Sequence, residues 1–208
     1  RLHSGEVLLV GGYAPAAGPD YPSWFGGNTA LADVEVFDPN EDSLESRTAM
    51  PSPRGYHRAT LLPGGDVVVT GGGQSLEDQA PTSILVYQTA TDAWTTVGQL
   101  QQARLDHAAT LLPHGGASGQ ILLSGGFHWA DPQGPVTTDE LIDLATMQVS
   151  SLSPIPPGVE PQVAVMGAML PNGSPRLLIG DLELVPFLTT QEHTHTFEQV
   201  DGGTLVRD

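Results

Sequence analysis

The stretch RGYHRATLLPGGDVVVTGGG (54–73) contains two short apolar runs, separated by a polar turn and closed by glycines. Short runs of Val, Leu and Thr bounded by Gly, Pro and Asp are typical of β-strands. The second run is apolar at consecutive positions (67–69), which indicates a strand buried on both faces. The glycine pair Gly71–Gly72 predicts a sharp turn beside a neighbouring sheet, where a positive φ and the absence of a side chain are needed.

The chain repeats this pattern. Apolar runs end in glycine at Gly11, Gly71, Gly125 and Gly180, 54 to 60 residues apart. The second glycine of each pair is Gly12, Gly72 or Gly126, and Asp181 takes its place in the fourth copy. The preceding phrase recurs as RLDHAATLLPHGG (104–116) and, more weakly, as PQVAVMGAMLPNG (161–173). It therefore places Arg54 and His57 in the same positions as Arg104 and His107.

A third phrase follows each glycine pair after a loop: VEVFDPNEDSLES (34–46), ILVYQTATDAWTT (84–96) and, more loosely, ELIDLATMQVSS (140–151). Its apolar segments flank polar turns rich in Asp, Asn and Thr. Three phrases recurring in one order predict units of four short strands that pack against one another.

These motifs resemble the kelch repeat, the blade of about 50 residues found in β-propellers of the kelch and galactose-oxidase-like superfamily. The resemblance depends on the double glycines, on the Arg-x-x-His phrase, and on Tyr87 followed by Trp94. It implies an all-β, kelch-type propeller of about four four-stranded blades. The pattern departs from the family at Leu44 and Val149, which stand where tryptophan is expected.

The repeat divides the chain into a single propeller unit with blades at about 1–50, 51–100, 101–156 and 157–202. The first unit lacks an opening strand, and we expect residues 203–208 to form either a closing strand or the first strand of a further blade. Four blades suggest an incomplete ring, and an open array exposes apolar blade faces and strand edges. We therefore expect the chain to be part of a larger or partner-completed propeller.

Charge and composition narrow the possible functions. The net charge is −17, from 24 Asp and Glu against 7 basic residues, all of them arginine. Such a field repels nucleic acid and anionic membranes, and no apolar run approaches the roughly 18 residues of a membrane span. The lysine-free acidic composition and a first residue other than Met favour a processed chain or a piece of a longer one outside the cytoplasm: secreted, periplasmic or at the cell surface.

The sequence contains no motif for catalysis. It lacks the G-x-S-x-G elbow, the P-loop, H-E-x-x-H and the EF-hand loop, and without cysteine it has neither disulfides nor the cysteine-crosslinked tyrosine of copper oxidases similar to galactose oxidase. The repeated Arg and His are expected to hydrogen-bond backbone turns between blades, since an active site rarely needs the same pair in successive blades. His193 and His195 share one face of a strand without an identifiable third ligand. Neither a metal nor a cofactor is predicted, and the chain is more consistent with a binding protein than with an enzyme.

Two loops that follow glycine pairs carry aromatic side chains that could bind a partner. The candidate binding residues are Tyr13, Tyr21, Trp24 and Phe25 in loop 13–32, and Phe127, His128 and Trp129 in loop 127–139. We expect a binding or scaffolding module that presents these loops to a protein partner. Three alternatives stay open: a propeller that binds or processes carbohydrate, structural packing within an envelope complex, and aromatics that fold back over the blade tops.

Overall fold

The computed structural model describes residues 1–14, 29–74, 80–112, 119–128, 134–136, 138–154, 161–169, 175–184, 190–200 and 204–207, with side chains up to residue 152 except His128 and Pro135. All regular structure in these ranges is β-strand. The predicted all-β class is confirmed.

The first sheet has three strands. It contains β1 (Val7–Val10), β4 (Val34–Asp38) and β5 (Ser43–Arg47) in the order β1-β4-β5, all antiparallel. A small hairpin of β2 (Tyr13–Ala14) and β3 (Thr29–Ala30) lies between β1 and β4 in the chain. No opening strand precedes β1 within the described residues, as the repeat predicts.

The second sheet is a complete four-stranded meander. It is formed by β6 (Gly55–Leu61), β7 (Val67–Gly73), β8 (Ser83–Gln88) and β9 (Ala93–Gln99), each antiparallel to the next. All seven residues of β7 are buried, as expected of a strand that is apolar on both faces.

The third sheet repeats this order. It comprises β10 (Ala108–Leu112), β11 (Gln120–Ser124), β14 (Thr138–Asp143) and β15 (Val149–Pro154). The connection between β11 and β14 contains a short hairpin of β12 (Phe127–His128) and β13 (Gly134–Pro135). Short hairpins thus follow the glycine pairs of the first and third sheets.

The fourth sheet corrects one expectation. It consists of β16 (Pro161–Met169), β17 (Pro175–Leu184), β18 (Thr190–Val200) and β19 (Thr204–Arg207). Residues 203–208 were expected to close the ring or to begin another blade, but β19 pairs with β18 as the fourth strand of this sheet.

The first three sheets pack face to face through apolar side chains. Between the second and third sheets, Val68, Ile84 and Val86 meet Ile121, Leu123 and Ile142. The interface between the first and second sheets includes Val34, Met50, Val69, Leu85 and Tyr87. The opening strands are also neighbours, with β6 beside β10 and β10 beside β16, so the sheets are stacked as successive blades.

Candidate binding surface

The repeated arginines are buried and hold the turns of their own blades. Arg54 Nη1 donates to the carbonyl oxygens of Gly71 at 3.0 Å and Ser83 at 2.9 Å. Arg104 Nη1 donates to Gly125 O at 2.9 Å, and Nη2 donates to Thr138 O at 3.0 Å. In both blades the guanidinium therefore ties the end of the second strand to the start of the third.

A carboxylate distinguishes the two arginines. Arg104 Nη2 also contacts Glu140 Oε1 at 2.5 Å, and both side chains are inaccessible to solvent. Glu140 also accepts hydrogen bonds from the backbone N–H groups of Gln101 at 2.7 Å and Gln102 at 3.1 Å. Arg54 donates instead to Ser83 Oγ, and burial lowers the pKa of Arg54 to about 10.

The backbone of each arginine binds the preceding blade. Gly12 N donates to Arg54 O at 2.8 Å, and Gly72 N donates to Arg104 O at 3.0 Å. A Cβ atom on Gly71, which has a φ of +60°, would lie 2.4 Å from Arg104 O. The glycine pairs are required where one blade's backbone approaches the next blade at this distance.

Of the repeated histidines, His107 is fully buried and His57 is partly buried. His107 Nε2 lies 2.8 Å from Thr70 Oγ1 of the second sheet. Desolvation, followed by the nearby charge of Arg104, lowers the pKa of His107 well below its ordinary value. The pKa of His57 is lowered by desolvation and by Arg54. A neutral imidazole at His107 suits packing between the second and third blades.

Tyr87 and Trp94 fasten the outer hairpin of the second blade. Their ring centroids are 5.0 Å apart, and Tyr87 Oη donates to Asp92 Oδ1 at 2.7 Å. Trp94 Nε1 donates to Thr48 O at 2.8 Å, and Asp92 accepts from Thr48 N at 3.0 Å. The tyrosine–tryptophan pair therefore also attaches the segment that leaves the first blade.

Four residues form a polar and aromatic surface where the opening strands begin, which we call the tyrosine rim: Tyr13, Tyr56, Arg58 and Asp106. The rings of Tyr13 and Tyr56 lie 5.2 Å apart at an interplanar angle of 55°. Tyr13 Oη donates to Gly73 O at 3.2 Å, which positions this ring. Arg58 Nη2 contacts Asp106 Oδ1 at 2.9 Å, with both side chains partly exposed.

Tyr56 and Asp106 occupy the same position of the repeat, two residues after Arg54 and Arg104. Both have a positive φ, 54° for Tyr56 and 51° for Asp106, and Asp106 N donates to Tyr56 O at 2.9 Å. A positive φ is uncommon for a bulky side chain and costs conformational energy. Tyr56 is nevertheless 44% exposed, so its aromatic ring is held at the surface by a strained backbone.

The predicted loop residues are only partly described. Tyr13 lies in the tyrosine rim, and Phe127 pairs through its backbone with Leu105 at 2.9 and 3.0 Å. Tyr21, Trp24, Phe25 and Trp129 lie outside the described residues, as does the side chain of His128. Tyr56, Arg58 and Asp106 were not among the predicted binding residues. The signal that could have found them is their place in the repeat, beside the buried Arg and His.

No cluster of three or more His, Asp or Glu suited to a metal occurs in the part of the chain that the structure describes. His193 and His195 lie on β18, whose side chains are outside that part. Among the described residues, no helix has the length and apolar character needed to cross a membrane.

The fold and its repeated motifs define a kelch-repeat β-propeller. One solved structure with this architecture, that of YjhT, aligns with a TM-score of 0.67 at 13% sequence identity, covering 98% of this chain and 67% of that one. In sequence, the chain is similar to the Rab9 effector protein with kelch motifs from Xenopus laevis, with 34% identity over 106 residues. That match covers 45% of this chain and only 29% of the relative. No family model matches the sequence.

Proposed function

We propose that this chain is a non-catalytic binding module that presents the tyrosine rim to a protein partner. The observation that carries the proposal is Tyr56, an aromatic side chain that is 44% exposed at a positive φ. Exposed tyrosine and arginine are the residues that most often dominate the energy of protein interfaces. Strained backbone is also concentrated at binding sites, where the surrounding structure holds it in place.

The buried arginines and histidines support a binding role over catalysis. Arg54, Arg104 and His107 are inaccessible to solvent, and the Nη atoms of the arginines and Nε2 of His107 bind backbone carbonyls or side chains of the propeller itself. Groups that face a reacting molecule must be able to touch it. These arginines and this histidine, which look catalytic in the sequence, are therefore better explained as residues that stabilise the blades.

Charge indicates the kind of partner. The net charge of −17 favours association with a surface that carries excess Lys or Arg, because complementary potentials accelerate encounter. The kelch relative is named as an effector of Rab9, a name that refers to action with another protein. We extend to this chain only the general role of binding a protein.

The loop aromatics belong to the same proposal. Trp24 and Trp129 follow the glycine pairs of the first and third blades, and those pairs lie at the same ends of the blades as the tyrosine rim. Replacing either tryptophan by alanine is expected to weaken partner binding without preventing folding.

The test is site-specific photo-crosslinking followed by affinity measurement. Benzoylphenylalanine at position 56 should crosslink one protein that the same probe at Thr95, on the exposed outer strand β9, does not capture. Tyr56→Asn keeps a residue that tolerates positive φ and should weaken binding of that protein at least tenfold, as expected for an interface hot spot. Thr95→Ala should leave the affinity unchanged. Equal affinity for Tyr56→Asn and the wild type would overturn the proposal.

Carbohydrate binding is the second candidate. The tilted pair of Tyr13 and Tyr56 presents aromatic surface of the type that stacks on sugar rings. A glycan array separates the two functions: a saccharide signal lost in Tyr56→Asn would favour carbohydrate, whereas a protein-binding module gives none.

A further inference from the structure

The fourth sheet departs from the repeat at the end of the strand that carries the glycine position. In the first three sheets, this strand stops pairing with the next one before the glycine pair: β1 at Val10, β7 at Val69 and β11 at Leu123. In the fourth sheet, the pairing of β17 with β18 continues past Gly180 to Leu184. The fourth blade therefore has an extended hairpin that the other blades lack.

Asp181 stands where the other blades have the second glycine. Gly72 and Gly126 have φ values of +77° and +93°, and a Cβ on either would lie 2.6 Å from an atom of its own blade. A side chain is thus excluded at these two places, whereas Asp181 is part of the paired ladder. The repeated glycines serve the packing of blades, so a carboxylate at this place serves something particular to the fourth blade.

The register brings Asp181 to the same face as two histidines. His193 and His195 share one face of β18, because residues two apart on a strand lie on the same side. Asp181 is directly opposite His193 and therefore lies on that face too. Opposite residues have Cβ atoms about 4.5–5.5 Å apart, and residues two apart on a strand are separated by about 7 Å. The backbone register alone thus supplies the third ligand that the sequence does not identify.

The composition of the extended hairpin favours a cation. Its arms, DLEL (181–184) and TQEHTH (190–195), contain three acidic residues and no basic residue other than the two histidines. Glu183 shares the face of Asp181, and Leu182 and Leu184 lie on the other face. This alternation is typical of a strand with one polar and one apolar face. The acidic and imidazole groups are therefore collected on one side of the hairpin.

Two histidines and one carboxylate are a ligand set for a borderline divalent cation. Zn²⁺ takes nitrogen and carboxylate ligands together, whereas Mg²⁺ and Ca²⁺ prefer oxygen ligands throughout. A simple charge pair across the strands would account for His193 and Asp181. It would not account for His195, since the residue opposite His195 is Ile179.

We propose that the extended hairpin of the fourth blade binds Zn²⁺ through His193, His195 and Asp181. The juxtaposition of a His-x-His strand with an aspartate in the neighbouring strand carries the proposal. It replaces the sequence-based expectation that the chain binds no metal. The tyrosine rim is built by the first three blades, so the metal site and the proposed binding surface can fail independently.

The test is isothermal titration calorimetry of the full chain with ZnCl₂, after removal of metal with EDTA and dialysis. Saturation at one Zn²⁺ per chain is expected, and an excess of MgCl₂ should not compete for the site. Absence of a saturable site, or displacement of Zn²⁺ by Mg²⁺, would overturn the proposal with the unmodified protein.

Variants assign the site to the hairpin. His193→Gln, His195→Gln and Asp181→Asn should each weaken Zn²⁺ binding at least tenfold. Glu192→Gln is the matched control, because it removes the same charge as Asp181→Asn beside His193 but on the other face of β18. His3→Gln removes a histidine outside the hairpin, and both controls should keep the wild-type affinity. An equal loss in Glu192→Gln, or full affinity in His195→Gln, would contradict this ligand set.

Discussion

At the scale of single residues, the equivalent arginines Arg54 and Arg104 are buried in the same way but differ in the groups that accept their hydrogen bonds. Arg54 and Arg104 bind carbonyl oxygens of their own blades, and their own carbonyl oxygens accept hydrogen bonds from the previous blade. Arg104 has the ion pair with Glu140, whereas Arg54 relies on neutral acceptors. A buried guanidinium without a carboxylate is costly unless its hydrogen bonds are made.

The lowered pKa values of His107 and His57 should make stability depend on pH. The folded state holds the pKa of His107 well below 6.5, so between these two values the unfolded chain binds a proton that the folded chain does not. The free energy of unfolding should therefore fall as the pH drops below about 6.5, by at most about 1.4 kcal/mol per pH unit for this histidine. The contribution is present at neutral pH and is lost on acidification. The lowered pKa of His57 acts in the same direction.

Urea denaturation at about pH 7, 6 and 5 measures this dependence. His107→Gln should flatten the slope by about 1 kcal/mol per pH unit relative to the wild type. His3→Gln changes an exposed histidine and should keep the wild-type slope. Parallel slopes for wild type and His107→Gln would show that the buried imidazole is not the source.

Part of this residue-level picture could be predicted from the sequence. The repetition of Arg-x-x-His indicates a structural role, because a residue pair that recurs in successive blades is more readily explained by packing within each blade than by one active site. Glu140 could not be found in this way, since Leu85 stands at its place in the second blade. The positive φ of Tyr56 could not be predicted either, because nothing in the residue types around a tyrosine indicates that backbone conformation.

At the scale of elements, the glycine pairs decide how closely two blades approach. The carbonyl of Arg104 comes within 2.4 Å of where a Cβ of Gly71 would be. The glycine pairs after β1 and within β7 therefore let these strands lie against the first turn of the next blade.

Gly71→Ala tests this requirement. The added methyl group meets both backbone and the His107 ring at a positive φ, so we expect a loss of about 2–4 kcal/mol in the free energy of unfolding. Gly64→Ala is the matched control, because its Cβ would have no neighbour within 4 Å, and its stability should stay within about 0.5 kcal/mol of the wild type. Chemical denaturation of both variants gives the comparison. A similar small loss in both would mean that the blades can separate to accommodate a side chain.

The strands themselves were readily predicted, because short Val- and Leu-rich runs between glycines and prolines favour the β conformation. The last strand was assigned wrongly. Thr204-Leu205-Val206 resembles an opening strand in its residues, but pairing follows the short connection to β18 rather than the resemblance. Local composition does not distinguish a first strand from a fourth.

At the scale of the whole molecule, the first blade has an apolar face without a neighbour among the described residues. Leu9 and Leu44 are 45% and 54% exposed. An exposed apolar face and an open strand edge together favour association between copies of the chain.

We expect sedimentation velocity to show association that increases with concentration. Leu44→Asp should reduce it at little cost in stability, because the side chain is mostly exposed. Tyr56→Asn is the control, since it also removes an exposed apolar group but on the tyrosine rim. Association that is insensitive to Leu44→Asp, or is reduced equally by both variants, would place the self-contact elsewhere.

Periodicity indicated stacked units of four short strands, because units that cannot bury both faces must stack. The propeller itself was implied by the resemblance to the kelch repeat. The binding surface did not follow, because it combines residues from the first, second and third units. Tyr13 and Tyr56 are separated by 43 positions in the chain and meet only when the blades are stacked.

The backbone bonds from Gly12 to Arg54 and from Gly72 to Arg104 run in one direction, each turn being completed by the unit that follows it. On a ribosome, the chain emerges from its amino end. The glycine turns of the first and second blades therefore leave the exit tunnel before the arginine carbonyl that accepts their hydrogen bond. That bond can form only when the first residues of the next blade have emerged. The assembly of each of these blades is therefore completed only when the start of the next blade has been synthesised.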